Sequence, residues 1–211
     1  MKIAIIGASG FVGKATVTEA LKNNHQVIAI SRHGQFEENS NLNVLHHDIN
    51  DWQSLAPKIR DVDLIISTFN PGWKDPNLYE DFLTGAHSVN QLAKSLKKRV
   101  IIVGGAGSLF SQQTNRQLFV DADINFQNMV RGAFELYEEL IKDDSFDWTF
   151  VSPALDLNAD KPNYNYNVGG DYVLYNTEGE SKISIYDLAD LLINIAPAKH
   201  LIHKRVTLAN K

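Results

Sequence analysis

The sequence contains no cysteine. That excludes disulfides, thiolate nucleophiles and cysteine-ligated zinc sites, and makes an intracellular setting the expectation. Positive charge is not in excess either. Twenty Lys and Arg stand against 25 Asp and Glu, for a formal net charge of −5. No nucleic-acid partner is expected, because phosphate contacts need clustered cations. Nowhere do about 18 apolar residues run together, so no membrane partner or membrane span is expected. The apolar start Met1-Lys2-Ile3-Ala4-Ile5-Ile6 is too short for a signal-peptide core, and no small-residue cleavage site follows it. A cytoplasmic location is the expectation.

What is present is a chain of 211 residues, 44% hydrophobic and 21% charged. That is enough for one sizeable core and too little for two ordinary domains, so residues 1–211 read as one domain. Short apolar runs at residues 3–6, 26–31, 43–47, 62–67, 99–103 and 147–151 predict buried strands. Between them lie helical patterns at residues 11–22, 78–96 and 124–141. Val12, Ala15, Ala20 and Leu21 mark the inward face of the first. Phe82, Ala86, Val89, Ala93 and Leu96 mark the second; Phe126, Val130, Ala133, Tyr137 and Leu140 mark the third. Strands alternating with helices predict an α/β fold, a Rossmann-type doubly wound parallel sheet with right-handed crossovers. The last third differs. Residues 158–170 read as a loop, 172–175 as a short strand and 205–208 as a final strand. Ser184-Ile185-Tyr186-Asp187 reads as a capping box that opens a helix toward Ile195.

The informative motif is Gly7-Ala8-Ser9-Gly10-Phe11-Val12-Gly13, placed directly after the first strand and opening the first helix. Gly7 permits the tight turn, Gly10 permits close approach of a pyrophosphate, and Gly13 lets helix and strand pack closely. The helix N-terminus offers unpaired N–H groups to the phosphates. Dinucleotide binding is expected at Gly7, Ala8, Ser9, Gly10, Phe11 and Val12. The second strand ends Ser31-Arg32-His33, with no Asp or Glu for the ribose of NAD. Ser31 and Arg32 can bind a 2′-phosphate instead, so NADP(H) is favoured over NAD(H). Residues 1–152 then form the dinucleotide-binding core, and residues 153–211 are a small C-terminal substrate-pocket segment.

With these residues the sequence resembles the atypical short-chain dehydrogenases, in the NAD(P)H-binding or NmrA-like group, and most nearly the small NADH-flavin reductases. The likeness also rests on residues 103–109 (Val-Gly-Gly-Ala-Gly-Ser-Leu), residues 147–154, Gly169-Gly170-Asp171 and Ser181-Lys182-Ile183-Ser184. The resemblance implies that Asp48 and Ile49 lie by the adenine. It implies that Ser67, Thr68 and Phe69 pass close to the ribose and nicotinamide, and that Pro153 and Ala154 sit by the nicotinamide. Dehydrogenases of that superfamily usually carry a Tyr-x-x-x-Lys pair and a Ser at the end of the fifth strand. Here Ile141 stands four residues after Tyr137, Lys142 lies one position further, and Gly104 or Gly105 takes the place of the Ser.

Alcohol–ketone chemistry needs a positioned proton donor. No catalytic residue is assigned. Hydride transfer to a flavin or quinone needs mainly that two planar systems be held face to face. Gly104 and Gly105 suit a flat ligand, FMN or another flavin being a candidate substrate, or they merely let the strand end pack. Phe69, Trp73, Phe110 and Tyr164 could wall an aromatic pocket or pin their loops to the core. His46, His47 and His87 read as structural, Glu135, Glu138 and Glu139 as a solvated stretch, and no metal site is expected. An NAD(P)H-dependent reductase of flavin or quinone leads. A non-catalytic NADP(H) sensor and a sugar or small-carbonyl epimerase or reductase stay open, and so does a homodimer.

Overall fold

The computed structural model describes all 211 residues. The chain alternates as the apolar pattern requires. β1 (Lys2–Ile6), α1 (Phe11–Lys22), β2 (Gln26–Ser31) and β3 (Leu42–His46) come first. A short turn and α2 (Trp52–Leu55) lead to β4 (Leu64–Ser67), α3 (Leu78–Leu96) and β5 (Val100–Val103). Then follow α4 (Leu118–Asp121), α5 (Ile124–Leu140) and β6 (Trp148–Ser152). The last third holds β7 (Asp156–Asn158), β8 (Tyr166–Gly169), β9 (Lys182–Ser184), α6 (Ile185–Asn194) and β10 (Lys204–Asn210).

Eight strands form one sheet in the order β3-β2-β1-β4-β5-β6-β10-β8, parallel throughout except where β8 runs against β10. The first six strands have the Rossmann order, which reverses between β1 and β4. Both faces are covered, which is why the central strands read as near-continuous apolar runs such as Ile3–Ile6 and Leu64–Ile66. Ile3, Ile5, Val27, Leu64, Ile66 and Val206 face α1 and α6. Ala4, Ile6, Ile65, Ile102 and Phe150 face α3 and α5.

The last third corrects the sequence reading. The stretch 158–170 is not one loop: its end forms β8, and Asp156–Asn158 just before it pairs in parallel with β9. Residues 172–175 are not a strand; Tyr172 makes one isolated bridge, to Phe110. The capping box is half formed. Ser184 Oγ accepts from Asp187 N at 3.0 Å. The Asp187 carboxylate does not fold back on the Ser184 amide. It accepts from Tyr164 N at 2.8 Å, Asn163 N at 3.3 Å and Ser184 Oγ at 2.9 Å.

Candidate functional site

The site starts where the strand order reverses, in the crevice beyond the ends of β1 and β4. Thr68 closes that point: its N and Oγ1 each donate to Ile6 O at 2.9 Å. Gly7 sits against it with φ +77°, and a Cβ there would lie 2.7 Å from Thr68 O. The loop is tied to β2 as well, because Ile30 O accepts from Gly7 N at 3.0 Å and Ala8 N at 3.1 Å. A Cβ on Gly13 would lie 2.1 Å from Gly7 O, so only glycine lets α1 start this close to β1. Gly10 caps α1 without a side-chain hydrogen bond, which leaves the first-turn amides for an anion. Phe11 stands 55% exposed above them.

The end of β2 completes this cradle. Ser31 is buried, and its Oγ has no hydrogen-bond partner. A buried hydroxyl left in that state is costly unless something bonds it. Gly34 folds the following turn onto the loop: a Cβ there would be 2.6 Å from Ser9 Cβ. Arg32 is exposed and forms no ion pair within the chain. Free amides, an unused buried hydroxyl and an unpaired guanidinium at one crevice fit a dinucleotide. Residues 7–13 would hold its pyrophosphate; Ser31 and Arg32 would hold its adenosine end.

Among the other expected contacts, Ile49 is buried, but the Asp48 carboxylate is engaged, accepting from Asn50 N at 2.9 Å. Ser67 is buried and its Oγ accepts from Phe69 N. Pro153 and Ala154 are buried just beyond β6. Phe69 turns its ring inward, tilted on Phe82 at 6.4 Å and filling the space a Cβ on Gly85 would need. Tyr164 lies beside Lys22 at the far end of α1, so it walls no pocket there. Phe110 packs on Tyr172; Trp73 is 63% exposed. Packing requires two of the glycines after β5: a Cβ on Gly104 would strike the Phe150 ring, and one on Gly107 would lie 2.9 Å from Val130, whereas one on Gly105 would meet only Ala133 Cβ at 3.5 Å.

Tyr137 is a core residue. Its ring tilts on Phe150 at 5.1 Å, the Arg205 guanidinium lies 4.4 Å from its centroid, and burial pushes its hydroxyl pKa up. Lys142 is exposed beyond the helix end. His87 pairs with Glu139 at 2.7 Å across α3 and α5. His47 bonds Ser54 Oγ at 3.0 Å, and its carboxylate neighbour is Asp51, not Asp48. The acidic stretch of α5 is pinned rather than free: Glu135 takes Tyr79 and Arg131, and Glu138 takes Gln117. A cleft of about 970 Å³ lies away from the crevice, between the end of α5, the starts of β6 and β10, β8 and the end of α6. The crevice is preferred as the site because amides and an unused hydroxyl converge there, and concavity alone specifies no chemistry.

The sequence reading missed two features. Ser108 and Ser152, beyond β5 and at the end of β6, carry buried hydroxyls without partners. Arg205 is buried and joins Ser108 to Asp171. Only the tertiary fold shows either.

A family model described as NAD(P)H-binding matches residues 7–199. The chain belongs to this NAD(P)H-binding family. The Bacillus subtilis protein YwnB, of uncharacterized function, is 30% identical over 208 residues, 97% of this chain and 95% of that one. A Bacteroides thetaiotaomicron structure provisionally called an epimerase superposes with TM-score 0.89 at 31% identity, covering 99% and 96% of the two chains. A Streptococcus pneumoniae structure provisionally called an NADH-flavin reductase gives 0.87 at 30% identity, covering both chains completely. The family assignment agrees with the NAD(P)H-binding, NmrA-like resemblance read from the motifs. No helix is long and apolar enough to cross a membrane.

Proposed function

We propose that this chain is an NADPH-preferring oxidoreductase that passes hydride to a planar acceptor, a flavin or a quinone. The observation that carries the cofactor preference is the end of β2. There a buried, unpartnered Ser31 hydroxyl stands next to an exposed, unpaired Arg32, with no carboxylate to take a ribose diol. When bound, a reduced nicotinamide supplies the hydride. The chain's part is to hold the pyrophosphate on the α1 amides, seat the adenosine end at Ser31 and Arg32, and present Pro153 and the segment after β5 to the acceptor.

The acceptor class follows from what the protein offers as an acid. Tyr137, the one tyrosine on α5, is wedged between Phe150 and Arg205, and no hydrogen bond reaches its hydroxyl. A carbonyl substrate would need a proton from the protein. A flavin or quinone is already electrophilic and takes its proton from water. The Streptococcus pneumoniae relative supports the same class. The buried Tyr137 equally favours the second reading, a non-catalytic NADP(H) sensor that regulates a partner. The epimerase or carbonyl reductase is the third.

Arg32→Glu is expected to weaken NADPH binding by about 1–3 kcal/mol, roughly 5- to 150-fold, and to leave NADH nearly unchanged. Titration of both cofactors against wild type and variant decides it. Equal losses would mean that Arg32 does not read the 2′-phosphate. Tyr137→Phe is expected to keep turnover within about twofold of wild type, because removing an acid would cost about 100-fold or more. A collapse of kcat would instead favour the carbonyl chemistry.

A further inference from the structure

Arg205 lies near the start of β10, and its side chain is 1% exposed. Its Nε and Nη2 donate to Asp171 Oδ1 at 3.1 and 2.7 Å, and Nη2 also donates to Asp171 O at 3.3 Å. Its Nη1 donates to Ser108 O at 2.6 Å. The guanidinium rests over Tyr137 at 4.4 Å and near Phe110 at 5.8 Å. One side chain therefore joins β10, the turn at residue 171, the segment after β5 and α5. Backbone bonds run the same way: Phe110 N donates to Asp171 O at 2.8 Å, and Val173 N to Phe110 O at 3.0 Å.

An ion pair with only its cation buried is a poor device for stability, because taking the guanidinium out of water costs about what the pairing returns. It is a good device for fixing geometry. The geometry fixed here is that of residues 106–110, where Ser108 holds a buried hydroxyl with no partner, as Ser152 does at the end of β6 beside Pro153. The Asp171 side chain is 60% exposed, so the carboxylate half of the pair borders solvent. None of Arg205's bonds reaches residues 7–13, Ser31 or Arg32.

We propose that Arg205 and Asp171 form a positioning latch that holds residues 106–110 against the acceptor, and so sets acceptor affinity and not cofactor affinity. This rests on the reductase reading for the acceptor's identity; the latch itself does not. Asp171→Asn and Arg205→Lys are the variants, and Asp171→Asn, being half outside the fold, is the milder one. Three quantities are measured on each: amide hydrogen exchange of residues 106–118, the NADPH dissociation constant, and the KM and kcat for FMN or a simple quinone. Exchange is expected to quicken and KM to rise about tenfold, with kcat and NADPH affinity within about twofold of wild type. Quickened exchange with an unchanged KM would overturn the proposal, and so would unchanged exchange in both variants. If wild type neither binds nor reduces any acceptor, the reductase reading fails. Exchange then decides whether the latch exists, and an intact latch without an acceptor overturns its role in acceptor affinity.

Discussion

Gly13→Ala is expected to lower the melting temperature by about 5–10 °C and to weaken NADPH binding by on the order of 100-fold. The new Cβ would lie 2.1 Å from Gly7 O, 2.8 Å from Ala8 Cα and 2.9 Å from Ala8 C. All three are backbone atoms, so no rotamer change relieves the clash. Either α1 backs away from β1 or the loop deforms. The first opens the packing of α1 and α6 over Ile3 and Ile5; the second spoils the amide cradle. Overpacking of this kind costs about 1–3 kcal/mol. Gly170→Ala is the control, since its Cβ would meet nothing nearer than Arg205 O at 3.9 Å. It should change neither quantity. A Gly13→Ala protein that melts and binds like wild type would mean that α1 does not start against the glycine loop as described.

Asp187→Ala is expected to cost about 2–3 kcal/mol, a fall of roughly 5–10 °C in melting temperature. Asp187 is 1% exposed and serves three donors: Tyr164 N, Asn163 N and Ser184 Oγ. Tyr164 sits at φ +53°, a conformation that disfavours a side chain and has to be held. Loss of the carboxylate frees that turn and leaves donors unserved. Proteolysis between residues 158 and 165 should then quicken markedly. Asp187→Asn keeps the shape but turns an amide toward donors, so it should recover only part of the loss. Wild-type melting in Asp187→Ala would show that this loop is anchored by something else.

The first half of the fold was readable because its physics is local. Ile3 to Ile6, Val27 to Ile30 and Leu64 to Ile66 are buried on both faces, so they appear in the sequence as unbroken apolar runs. Phe82, Ala86, Val89 and Ala93 repeat at helical spacing because one side of α3 packs on the sheet. The glycine loop carries its own geometry in Gly7 and Gly13. The last third is held from a distance. β8 is an edge strand with exposed Asn167 and Val168, so no apolar alternation marks it. Residues 172–175 are an apolar run, yet Val173 is buried in a small cluster with Ala106 and Leu109 rather than in a sheet. Asp187 carries the residue type of a capping box, but two of the three donors it satisfies lie 23 and 24 positions away.

The candidate site divides the same way. Ser31 and Arg32 can be picked out from the sequence as candidates because the end of β2 stands at a fixed distance from the glycines. Whether Phe69 and Tyr164 wall a pocket or pin their loops was not legible, because a loop aromatic gives no sign of which way its ring turns. Phe69 fills the gap over Gly85, and Tyr164 joins Lys22. Arg205 reads as an unremarkable strand residue, and its partners stand 34 and 97 positions away.

The most direct test of the account is NADPH oxidation followed with FMN, riboflavin or a simple quinone as acceptor, with NADH in parallel. Acceptor-dependent turnover that prefers NADPH, and that Arg32→Glu shifts toward NADH, is the predicted result. Tight NADPH binding with no turnover on any acceptor would contradict the reductase and leave the chain a cofactor sensor.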